Sequence, residues 1–139
     1  MPAGYSGTPL PQKLGIKAGH RVLLVNAPPD FESELVPLPE GVHLTYEPRA
    51  EPQPYDVILA FFAERNTLHA HFGQLAERLK QNGGLWLCWI KKAAGIPTDL
   101  GEAEVRATGL AGGLVDNKGC AVTQTWSGLR FVYRLRDRT

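Results

Sequence analysis

The sequence predicts a three-layer α/β domain on a mostly parallel sheet that ends in an antiparallel β-hairpin. Three observations carry this. The runs "RVLLV", "YDVILAFF" and "GLWLCWI" are continuously apolar, as strands covered on both faces are. Two segments with helical periodicity alternate with such runs in the middle of the chain. The stretch after residue 113 is β-rich and shows no helical period. Buried strands interleaved with helices give the parallel part of the sheet, and the closing pair of strands gives the hairpin.

Taken in order, residues 1–12 are rich in Gly, Pro, Ser and Thr and read as an irregular arm, leaving 13–139 as one α/β domain. "QKLGIKAGH" is a short helical turn ended by Gly15, followed by a turn into strand one near 21–26. "PDFESELVPL" has room for one or two helical turns, with Asp30 to cap them and Pro37 to stop them. "GVHLTYEP" alternates and gives strand two near 42–47, and the proline-laden "EPRAEPQP" holds no helix. "YDVILAFFA", 55–63, is a buried strand. "TLHAHFGQLAERLKQNGG" is a helix capped by Asn66 or Thr67, with Leu68, Phe72, Leu75, Ala76 and Leu79 inward and Gly83 as its stop. "GLWLCWI", 84–90, is the next buried strand. "PTDLGEAEVRATGLAGG" is a second helix, capped by Thr98 or Asp99 and stopped by Gly112 and Gly113. "LVDNKGCAVTQTW" and "SGLRFVYRLR" form the hairpin, with Ser127-Gly128 near its turn.

The bulk properties exclude several classes of function. A chain of 139 residues with 43% hydrophobic and 21% charged residues has an ordinary globular composition. A formal net charge of +1 supplies no field for nucleic acid, so no nucleic-acid partner is expected. No segment has signal-peptide character or could span a bilayer, which predicts a cytoplasmic protein with no membrane partner. Cys88 and Cys120 sit in apolar runs and read as small buried hydrophobes. A disulfide between them would require their strands to be neighbours. No Cys/His set has metal-ligand spacing, so no metal is expected.

In open α/β sheets ligands bind beyond the carboxyl ends of the parallel strands. That rule selects Asn26 with Pro28 and Pro29, then Glu64 and Arg65, then Lys91 and Lys92. The adjacent lysines, ahead of a helix start, could hold an anion. His69 and His71 are two apart on a helix and cannot chelate one ion together. Ser6 and Ser127 lack the strand-turn-helix setting of a nucleophile elbow. Trp126 with "RFVYRLR" makes the hairpin edge the best candidate surface for a homodimer.

Several stretches resemble class I S-adenosylmethionine-dependent methyltransferases. "LGIKAGHRVLLV" is similar to the entry of that fold, "YDVILAFF" to its fourth strand, and "LAERLKQNGGLWLCW" to its following helix and fifth strand. The resemblance implies that Glu47, ending strand two, stands where an acid would hold ribose hydroxyls. It also implies that the third strand and its flanking helices are omitted. Where that family has a Gly-rich cofactor loop, this chain has Ala27-Pro28-Pro29, and prolines remove both N–H donors and flexibility. No cofactor is therefore expected, with S-adenosylmethionine disfavoured by Pro28 and Pro29. More closely, "GYSGTPL", "LGIKAGHRV", "NAP", "GLWLCWIKK" and "WSGLRFVYR" resemble an uncharacterised bacterial family catalogued as domain of unknown function 3052. The function these readings predict is a methyltransferase-like domain without catalysis that binds a partner protein or small ligand. The alternative is a small enzyme with a trimmed adenosyl- or phosphate-ligand site near Asn26, Glu47, Lys91 and Lys92.

Overall fold

The computed structural model describes residues 8–46 and 54–138. Six strands form one sheet in the order β2-β1-β3-β4-β6-β5. They are β1 (Arg21–Val25), β2 (His43–Tyr46), β3 (Tyr55–Phe61), β4 (Leu79–Ile90), β5 (Leu114–Ala121) and β6 (Trp126–Tyr133). The first four lie parallel, whereas β6 runs antiparallel to both β4 and β5. This is the three-layer, mostly parallel arrangement with a terminal hairpin that the sequence predicts.

The period of two along each strand divides the core into two layers. Leu23, Ile58, Leu87 and Trp89 face α2 (Arg65–Glu77) and α3 (Glu102–Ala111). Val22, Leu24, Leu59, Trp86 and Cys88 face the other way. That second face is covered by α1 (Leu10–Lys13), by Leu14 and Ile16 after it, and by a 3-10 turn at Phe31–Leu35. Trp86 and Trp89 thus point to opposite sides, as a strand requires. The buried Trp86 Nε1–H donates to the Leu14 carbonyl at 3.0 Å and ties the short α1 connection to the sheet.

Several boundaries differ from the sequence reading. Helix α2 ends at Glu77, not at Gly83, because Tyr55 N–H takes the Arg78 carbonyl at 2.7 Å and β4 begins pairing with β3 at Leu79. Gly83 lies within β4, where a Cβ would stand 2.7 Å from the Asp56 carbonyl. The hairpin turn is 122–125, so Ser127 and Gly128 belong to β6. Cys88 and Cys120 both lie opposite Gly128, on the two strands that flank β6. Their strands are not neighbours, and both thiols are free. Trp126 is half-buried against Phe61, at 5.2 Å between ring centroids. Among the described residues, no helix is long and apolar enough to cross a membrane.

Candidate functional site

The loop after β1 makes its turn without glycine. Asn26 (φ 56°) and Asp30 (φ 61°) both adopt the left-handed conformation, one on each side of Ala27-Pro28-Pro29. Asn and Asp are the non-glycine residues that tolerate this region best. The Pro28 carbonyl accepts from Phe31 N–H at 3.1 Å, and the Asp30 carbonyl accepts from Ser33 N–H and Oγ at 3.0 and 2.7 Å. These bonds wind the 3-10 turn. Phe31 then drops into the core against Phe61, at 4.9 Å between centroids, and Phe61 meets Trp126 in turn. Three edge-on aromatic rings therefore form a floor beneath the carboxyl ends of β1, β3 and the start of β6.

Above that floor and beside β2 lies a cavity of about 450 Å³. Asn26, Ala27 and Pro28 line one side, Glu32 and Ser33 another, and Tyr46 the far end. Pro28 forms wall and does not fill the space. Tyr46 is the last residue of β2, and burial together with a hydrogen bond to the Glu32 carboxylate pushes its phenol up to about 12. It stays a neutral donor at any physiological pH. The cavity thus offers the Asn26 amide, the carboxylates of Asp30 and Glu32 and two hydroxyls in one concave site, a donor set suited to a polyhydroxylated, nitrogen-bearing ligand.

A second cavity, about 280 Å³, lies between this loop and the hairpin turn, where Pro29, Glu34, Gln124 and Trp126 meet. The turn is fixed by Thr123, whose Oγ1 accepts from the N–H groups of Thr125 and Trp126 at 3.1 Å each. A third cavity, about 680 Å³, opens beyond β4 and is lined by Lys91, Lys92, Trp89, Asp99, Gly101 and Ser127.

Among the described residues, the predicted site residues line different cavities. Asn26 lines the first cavity, whereas Lys91 and Lys92 line the third. β3 separates β1 from β4, and Lys91 N–H is held by the Thr125 carbonyl at 2.9 Å. Glu47 lies outside the described residues, as does Ser6. Thr98 and Asp99 do not cap α3, which begins after Gly101. Instead Asp99 Oδ1 accepts Arg65 N–H at 2.7 Å and Thr98 Oγ1 donates to the Ala63 carbonyl at 2.6 Å. Both therefore stitch this connection to the end of β3 and the start of α2, whose predicted caps Asn66 and Thr67 are not used. Arg65 adds an ion pair to Glu104 at 2.9 Å.

Among the described residues no group of His, Cys, Asp and Glu could hold a metal. Burial raises the Cys88 thiol well above its usual range, and Cys120 adds to this, which holds it as the neutral thiol. Sequence reasoning missed Tyr46 and Glu32. The available signal was their polarity at the end of one strand and in the turn after another.

No family model matches the chain, and no curated protein matches it in sequence. Its similarity to solved structures is extensive. A S-adenosylmethionine-dependent methyltransferase from Aquifex aeolicus superposes with a TM-score of 0.57 at 18% identity, over 86% of this chain and 85% of that one. Magnesium protoporphyrin IX methyltransferase from Synechocystis PCC 6803 with bound S-adenosylmethionine superposes at 0.62 and 14% identity, over 84% and 71%. The same enzyme with bound S-adenosylhomocysteine gives 0.60. These neighbours overturn the expectations of a domain without catalysis and without a cofactor, since they are methyltransferases and two of the three hold the cofactor or its product. At the loop, Asn26 and Asp30 supply the turn in place of glycine, and Pro28 lines the cavity. In architecture, the chain has the fold of the S-adenosylmethionine-dependent methyltransferases.

Proposed function

We propose that this chain is a small S-adenosylmethionine-dependent methyltransferase whose cofactor cavity is the one above β1 and β2. The observation that carries the reading is that 450 Å³ cavity, beside a loop whose turn is made by the left-handed pair Asn26 and Asp30 instead of by glycine. Its volume falls within the range of roughly 300–1,000 Å³ usual for small-molecule sites. Bound there, the cofactor would supply an activated methyl group. The chain's own residues hold and orient it. Asn26 and the backbone around Ala27 face its polar end, and Glu32 accepts from hydroxyls once Tyr46 turns from it to the ligand. Glu47, following Tyr46 in sequence, adds a second carboxylate for a ribose. Phe31, packed on Phe61, gives the cavity an apolar wall that excludes water. Lys91 and Lys92 serve the separate cavity beyond β4, as a site for an anionic group. The stretches "GYSGTPL", "GLWLCWIKK" and "WSGLRFVYR" support grouping the chain with the uncharacterised bacterial family named above.

The test is thermal unfolding with and without S-adenosylhomocysteine. Ligand at about 100 times its dissociation constant adds roughly 2.7 kcal/mol of stability. Unfolding entropy of about 2.1 cal/mol/K per residue over 139 residues is about 0.29 kcal/mol/K, so the midpoint rises on the order of 9 °C. An unchanged midpoint at millimolar ligand refutes the proposal.

A further inference from the structure

A methyl acceptor must bring its nucleophilic atom to within roughly 3–3.5 Å of the carbon it receives, so its site has to open onto the donor's. Among the described residues, the 280 Å³ cavity shares wall with the candidate cofactor cavity, through Pro28, Asp30, Phe31 and Ser33. The cavity beyond β4 has no residue in common with it. Resting on the methyltransferase reading, we propose that the cavity between the β1 loop and the hairpin turn is the acceptor site, and that it takes a small amine.

The lining sets the chemistry. No Lys, Arg or His contributes to it. The carboxylates of Asp30 and Glu34 line it, and neither is paired with another described residue. Gln124 and Thr125 add an amide and a hydroxyl, whereas the Thr123 hydroxyl is engaged by the backbone of the turn. Such a wall matches a ligand that donates N–H hydrogen bonds, neutral or protonated, and repels a carboxylate or phosphate. Trp126, held edge-on by Phe61, gives an aromatic surface that attracts an ammonium group. A volume at the low end for ligand sites limits the acceptor to a small molecule or a single side chain. In the transfer, the bound ammonium first gives a proton to the Asp30 carboxylate, which lines both cavities. The lone pair so freed forms the C–N bond as the C–S bond of the sulfonium breaks, leaving a neutral thioether and a methylated ammonium that carries the positive charge.

The test is calorimetric titration of the full chain, first with S-adenosylhomocysteine, then with phenethylamine or its carboxylate counterpart 3-phenylpropionate. The variants are Glu34→Gln and Gln124→Lys, which touch the second cavity alone. Phenethylamine should bind at least about tenfold tighter than 3-phenylpropionate, and either variant should weaken it by about tenfold or more. Titration with S-adenosylhomocysteine should be the same for wild type and both variants. Equal or tighter binding of the carboxylate, or unchanged amine affinity in both variants, overturns the amine assignment. Amine binding with this pattern but without S-adenosylhomocysteine binding removes the methyltransferase reading and leaves the amine site standing. Binding of S-adenosylhomocysteine without the amine does the reverse.

Discussion

Replacing Asn26 by Ala and by Gly separates backbone strain from side-chain chemistry at the loop that lines the 450 Å³ cavity. Asn26 has φ 56°. A residue with a plain Cβ in that region is disfavoured by roughly 1–2 kcal/mol, which Asn partly escapes through local hydrogen bonding and Gly escapes by having no Cβ. Asn26→Ala should therefore destabilise the fold by about 1 kcal/mol. With an unfolding entropy of about 0.29 kcal/mol/K over 139 residues, that lowers the midpoint by about 3 °C. Asn26→Gly relieves the Cβ but loosens the unfolded chain, a cost of roughly 0.4–1 kcal/mol in the opposite sense, so it should melt within about 2 °C of wild type. Differential scanning calorimetry at one scan rate distinguishes the three proteins. If Ala melts with wild type, or if Ala and Gly fall equally, the turn does not depend on the left-handed residue and the account of the loop is wrong.

Four other substitutions test the packing and electrostatics that hold the site. Gly109→Ala would place a methyl group inside the ring of the fully buried Phe131, and overpacking of that kind costs roughly 1–3 kcal/mol; Gly73→Ala on α2 meets nothing within 4 Å and should stabilise by up to about 1 kcal/mol. Trp86→Phe leaves the Leu14 carbonyl without its 3.0 Å donor and should cost about 1–3 kcal/mol in denaturant titrations. Burial alone would raise the Asp56 carboxyl, but Arg21 N–H at 2.8 Å and Lys80 at 3.1 Å outweigh it and hold the carboxyl below its usual 3.8. A depressed folded-state value means stability present above about pH 4 and lost as pH falls below it, so the advantage of wild type over Asp56→Asn should shrink between about pH 4 and pH 2.

Much of the fold was legible because apolar patterning is a local record of burial. The runs containing Leu23, Ile58 and Leu87 had to be covered on both sides, and the alternation of strand and helix between them left few topologies. Boundaries were less legible where tertiary pairing competes with local preference. Arg78 and Leu79 continue a good helical pattern, yet their backbone is claimed by the start of β3. Asp99 has the chemistry of a cap and does cap a helix, but the helix is α2 rather than the one that follows it. At the site, proline was read as an obstacle because sequence shows which donors are missing and not where the ring points. Asn26 and Lys91 both sit beyond strand ends, as expected, but only the sheet order reveals that they serve different cavities.

The two faces of the sheet are unequally covered, by helices of 13 and 10 residues on one side and by a four-residue helix with a 3-10 turn on the other. In hydrogen-exchange terms this divides the molecule into a slow half and a fast half. Amides of β3 and of β4 from Leu85 to Ile90 are shielded on both sides and should exchange only through global unfolding, whereas those between residues 26 and 46 open through cheap local excursions. A ligand seated over β1 and β2 falls on the fast half. Its occupancy would be written first as slowed exchange in that thinly covered segment, with the protected strands beneath scarcely registering it.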